Sequence, residues 1–133
     1  MADEIIVNDG GAPARIIPFI ANETIAAGDY VGLKAGNGQV IATLTSGNIG
    51  IGVALTAATS GNIVNTVTGK GVVLKTFCSG AINPGARLYL AGSEMHLQAA
   101  LSTAASGQAV ATYLETTALV AGAGAITLQK VMF

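Results

Sequence analysis

Short apolar runs of strand length, divided by glycine and asparagine, set the pattern of this chain. Tyr30–Lys34 and Arg87–Leu90 read as strands that follow Gly28 and Gly85. Gly36, Asn37 and Gly38, between Val31–Leu33 and Gln39–Ile41, form a strong hairpin signal, because the tight turn needs backbone angles that glycine and asparagine adopt readily. Further strands are predicted at Ile49–Leu55, Ile63–Val67, Gly71–Phe77, Gln108–Leu114 and Ala125–Met132. Strands at this spacing predict a mainly β domain, a small barrel or sandwich. Leu97–Ser106 runs against the pattern, since its alanines and leucines favour helix by propensity. A short helix there stays open.

The chain also matches itself. Laying Ile25–Thr59 on Ile82–Thr116 without a gap, an offset of 57 residues, aligns nine identities: Ile25/Ile82, Gly28/Gly85, Leu33/Leu90, Ala42/Ala99, Leu44/Leu101, Gly50/Gly107, Val53/Val110, Ala54/Ala111 and Thr59/Thr116. Val31/Leu88 and Val40/Leu97 match in kind. The matches fall on glycines and apolar positions that set turns and faces, so the reading is a duplication. It gives one β domain over residues 21–133 with pseudo-repeats at about 22–77 and 79–133, joined at Cys78–Gly80. On this alignment residues 1–20 have no counterpart. Pro13 and Pro18 exclude helix there and favour an extended N-terminal arm.

Composition narrows the function. At 133 residues the chain is one domain's worth. Only 10% of residues are charged, against about 25% in an ordinary soluble domain, while 51% are hydrophobic and mean hydropathy is +0.61. A membrane helix needs about 20 apolar residues in a row, and the longest run, Thr117–Thr127, is short and broken by Gly122 and Gly124. The first residues, MADEIIVNDGG, carry acids where a signal peptide carries Lys or Arg, so no secretion is expected. A surface poor in charge is then one covered by other protein, and an assembly component is expected. Six basic and seven acidic residues with no basic cluster argue against nucleic acid as a partner.

The candidate chemistry is thin. His96 is the sole histidine, so any nucleophile and base pair, for instance with Cys78, has to use it. Nothing in the spacing brings the two together. The ordinary readings are a strand histidine and a buried apolar cysteine. Gly69-Lys70-Gly71 lacks the spacing and the hydroxyl of a phosphate loop, and Gly50-Ile51-Gly52 and Gly122-Ala123-Gly124 lack the third glycine of a dinucleotide site. The acids Asp3, Glu4, Asp9, Glu23 and Asp29 do not gather at calcium-loop spacing. Asn22-Glu23-Thr24 fits a glycosylation sequon, of little weight without secretion. Neither a metal, a cofactor nor a catalytic set is expected.

Four segments carry a resemblance: Gly28–Leu33 (GDYVGL), Gly50–Ala54 (GIGVA), Gly69–Leu74 (GKGVVL) and Ala81–Leu90 (AINPGARLYL). Their succession over roughly residues 15–133 resembles the small head decoration, or capsid cement, proteins of tailed bacteriophages. The resemblance implies a β-tulip or related barrel domain that sits as homotrimers on the outer surface of the capsid and binds the major capsid protein. It also implies assembly in the host cytoplasm, no enzyme activity, and no nucleic-acid or membrane partner. An N-terminal arm that adds to capsid β structure would use Ile5, Ile6, Val7, Arg15, Ile16 and Ile17. Two other classes stay open: another phage structural β module, such as a tail tube or fibre, and a small hydrolase or sugar-binding domain. The last requires a pocket joining His96 to an acid, or a cluster of Tyr30, Tyr89 and Tyr113.

Overall fold

The computed structural model describes residues 6–8, 15–42, 49–69, 72–90, 97–98, 111–119 and 126–133. Among them are eleven strands and no helix: β1 (Ile6–Asn8), β2 (Arg15–Ile20), β3 (Tyr30–Leu33), β4 (Val40–Ile41), β5 (Ile49–Ala54), β6 (Ile63–Thr68), β7 (Val73–Cys78), β8 (Arg87–Leu90), β9 (Leu97–Gln98), β10 (Ala111–Tyr113) and β11 (Thr127–Met132). The protein is mainly β. One sheet runs β2-β6-β5-β3-β4 and the other β1-β7-β11-β10-β8-β9. Of the segment with helical propensity, Leu97–Gln98 is strand and the rest lies outside the described residues. The predicted hairpin forms where Gly36–Gly38 stand, with Lys34 N–H donating to Gln39 O at 2.8 Å and Gly38 N–H donating back to Lys34 O at 3.1 Å.

Strand pairing repeats residue by residue between the two sheets. Gly32↔Ile41 and Leu33↔Val40 in the first have Tyr89↔Gln98 and Leu90↔Leu97 in the second, every residue displaced by 57. A single parallel pair joins the end of each first strand to the hairpin, Ala21↔Val40 in one and Cys78↔Leu97 in the other. Each sheet thus rolls back toward its own first strand, with no continuous closing ladder among the described residues. Past the hairpin the displacement grows, because Tyr30↔Val53 corresponds to Arg87↔Thr112 and Val53↔Val67 to Thr112↔Met132. The displacement is 59 at Val53/Thr112 and 65 at Val67/Met132, so the second half holds the extra residues.

The ungapped identities Val53/Val110 and Ala54/Ala111 are not structural equivalents, since Ala54 corresponds to Tyr113 and Ala111 to Gly52. Moreover, Arg15–Ile20 does have a counterpart. β2 pairs with β6 over six residues as β7 pairs with β11, and Ala21 and Cys78 close both in the same way. The repeats therefore run 15–68 and 72–133, not 22–77 and 79–133, and β2 belongs to the domain, not to an arm. The residues of this strand share no identity with their counterparts Val72–Phe77, and only the pairing shows that they correspond.

Each repeat has its own core built from corresponding residues. Ala21, Ile25, Val31 and Val40 fill the first, and Cys78, Ile82, Leu88 and Leu97 the second, all buried. The second core extends across the junction to Tyr30, Ile41, Val53 and Val67 of the first sheet. Tyr30 stacks on Phe133 there, with ring centroids 5.7 Å apart and planes 4° from parallel.

Candidate interaction surface

β2 and β6 present apolar side chains to solvent. Alternation along a strand puts Ile16, Pro18 and Ile20 on one face of β2, and antiparallel pairing sets Ile20 opposite Ile63. Ile16, Ile20 and Ile63 are 54%, 40% and 62% exposed. Removing a large aliphatic side chain from water is worth about 1.5–3 kcal/mol, so covering these three exposed side chains would be favourable. β2 is also the last strand of its sheet. Pro18 sits on that edge, where a missing N–H costs no ladder bond and discourages indiscriminate strand pairing.

The residues expected to bind a partner divide between the two sheets. Arg15, Ile16 and Ile17 lie on β2 opposite Thr68, Val67 and Thr66; Arg15 and Ile16 are exposed and Ile17 is half-buried. Ile6 and Val7 lie on β1, whose Ile6 pairs with Leu74 and whose Asn8 pairs with Val73. Ile5 is outside the described residues. Ile20 and Ile63 were not singled out from sequence. Their apolar character resembles that of every core strand, and only the pairing shows which face of β6 lacks cover.

Among the described residues no reactive groups gather around this surface. Cys78 is buried, and burial pushes its thiol up to about 12, so it is a neutral packing residue. His96 lies outside the described residues. Tyr30 and Tyr113 are buried, which removes them as sugar-stacking platforms. Burial raises the Tyr30 phenol to about 12. Tyr113 donates to Thr117 O or Gln129 Oε1 at 3.1 and 2.9 Å. Asp29, buried, accepts Ala26 N–H at 2.8 Å; burial raises its pKa more than that hydrogen bond lowers it, and Glu23 adds to the rise. Glu23 itself accepts Ala42 N–H at 2.7 Å. Among the described residues no three His, Cys, Asp or Glu side chains group as metal ligands, and no helix is long and apolar enough to cross a membrane. A shallow depression lined by Thr24, Ile25 and Ala57–Thr59 holds no titratable group. No protein-family model matches the chain, and no curated protein is detectably similar to it.

Proposed function

We propose that this protein is a structural component of a phage particle that coats the outer surface of the capsid, as homotrimers bound to the major capsid protein. The observation that carries the reading is the exposed apolar patch of Ile16, Ile20 and Ile63 beside the open edge of β2. Aliphatic surface of this kind is what a partner protein would cover. The low charge content of 10% and the motif succession from Gly28 to Leu90 support the same reading. Decoration from the host cytoplasm needs no cofactor, metal or catalytic residue, and none is part of this proposal.

Heads that lack the protein, mixed with the purified chain, test it. Bound protein on the outer shell in negative-stain images, with raised resistance of the heads to heat, is the expected result. Binding to tails, or no binding, overturns it in favour of a tail-tube or fibre module or another role. Deleting Met1–Gly11 removes β1 and leaves both five-stranded repeats intact. If Ile5–Val7 anchors to the lattice, that variant stays folded and decorates heads weakly. Normal decoration by the deletion places attachment on the body.

A further inference from the structure

We infer that the chain associates head to tail with further copies of itself, the Asn83–Gly85 turn of one copy seating on Ile20 and Ile63 of the next. The contact exists once already, between the two repeats of a single chain. There the buried Gly28 lies on β7 and β11. Its carbonyl accepts Phe77 N–H at 3.2 Å and the Thr76 hydroxyl at 2.8 Å. A Cβ on Gly28 would stand 2.6 Å from Leu128 Cδ2 and 3.3 Å from Phe77 Cε2. Phe77 and Leu128 are direct partners across the β7–β11 ladder.

Both halves of this contact recur, each without its mate. Gly85 tips the corresponding turn: Ala86 N–H donates to Asn83 O at 3.1 Å, as Asp29 N–H donates to Ala26 O at 3.2 Å. The two glycines share a positive φ, 79° and 97°. Yet Gly85 is exposed, with no described residue within 4 Å of where a Cβ would stand. Ile20 and Ile63 are the cross-strand pair in the place of Phe77 and Leu128, and they are the exposed pair. Ala21 N–H donates to Asn62 O at 2.9 Å, so by ladder alternation Ile20 N–H points out of the opposite edge of β2. That is the direction in which Phe77 N–H reaches Gly28. One end of the chain exposes the turn and the other exposes its seat.

A second copy is the occupant because the equivalent turn and the equivalent strand pair already meet inside this fold, at Gly28, Phe77 and Leu128. The two surfaces differ, so the contact is heterologous and repeats until it closes a ring or continues as a filament. It is weaker than the internal one. Phe19 replaces the Thr76 hydroxyl, and Arg87 and Thr68 stand where Tyr30 and Phe133 stack. The inference needs no capsid. Self-association of the purified chain tests it separately from the decoration reading.

Sedimentation velocity over a wide range of concentration is the first measurement, and species heavier than monomer are expected. Ile20→Asp with Ile63→Asp should return the protein to monomer with its far-ultraviolet spectrum unchanged. A second route does not depend on those variants folding. In a Cys78→Ala background, which copies the Ala21 of the first repeat, Ile63→Cys with Asn83→Cys should give an oxidant-dependent ladder of multimers on a denaturing gel. Each single cysteine should stop at dimers at most. Monomer at every concentration overturns the inference. So does association that survives both aspartates, or full conversion to dimers by Ile63→Cys alone, which would mean a two-fold contact of like surfaces.

Discussion

β2 and β7 hold the same place in their repeats and meet opposite fates. Arg15–Ile20 is the more apolar by composition, with three isoleucines, a phenylalanine and a proline, and it shows a face of exposed residues to water. Val73–Cys78 carries a lysine and a threonine, yet alternates between half-buried and buried along its whole length. Neighbours account for the difference. β7 has β11 on one side, β1 and β9 on the other, and the Gly28 turn over Phe77. Among the described residues β2 has β6 on one side and only the Ala21↔Val40 pair beyond its end on the other. Side-chain hydrophobicity measures what burial would contribute, and topology decides which strand receives it. Where the two disagree, as on β2, apolar side chains stay in water.

Truncating the corresponding inward positions is the hardest test of this contrast. Leu74→Ala, at a fully buried site, should cost about 4 kcal/mol, and Ile17→Ala about 1 kcal/mol, read as midpoints of urea unfolding of the monomeric protein. Equal losses would mean that β2 is as well packed as β7. The glycine turns come next. Gly28→Ala adds a Cβ at positive φ and drives it into Leu128 and Phe77, for a loss of about 3 kcal/mol, whereas Gly85→Ala meets only the backbone strain, about 1 kcal/mol. A loss at Gly85 as large as at Gly28, measured at dilutions where the chain is monomeric, would remove the distinction between a seated and an unseated turn.

Thr66 sharpens the comparison on the inner face of the sheets. Its buried hydroxyl has no hydrogen-bond partner among the described residues, and by the β5–β6 and β10–β11 registers its counterpart is Val131. Thr66→Val should stabilise the protein by about 1 kcal/mol, since an unsatisfied buried polar group is removed and the shape kept. A loss in thermal midpoint would show that the hydroxyl is satisfied after all. The smallest effect is at Asp29, whose counterpart is Ala86. The folded-state pKa of Asp29 is raised from 3.8, so its stabilisation is full below that value and is lost as pH rises through the folded value. Asp29→Asn keeps an acceptor for Ala26 N–H and should flatten that part of the stability profile. A parallel profile in the variant would assign the slope to other groups.

Much of the internal symmetry was legible in the residues. Ile25/Ile82, Gly28/Gly85 and Leu33/Leu90 mark true equivalents, because turns and hairpins depend on local backbone angles and short-range pairing. β2 and β6 escaped the alignment, since strand–strand equivalence is carried by register across a sheet and not by side-chain identity. The exposed seat was invisible for the same reason. Ile20 and Ile63 are separated by 43 positions in the sequence and meet only through the β2–β6 ladder.

The sequence by itself determined the mainly β character, the turns at Gly28, Gly85 and Gly36–Gly38, and the presence of two copies of one unit, because each is set by local propensity and by glycine where positive φ is required. Only the tertiary structure decided where each copy begins, which apolar strand is covered, and that one turn is seated while its twin stands open. Those outcomes arise from long-range pairing. A chain carrying two like units in tandem joins one turn to one seat and leaves the other turn and seat, at opposite ends, exposed.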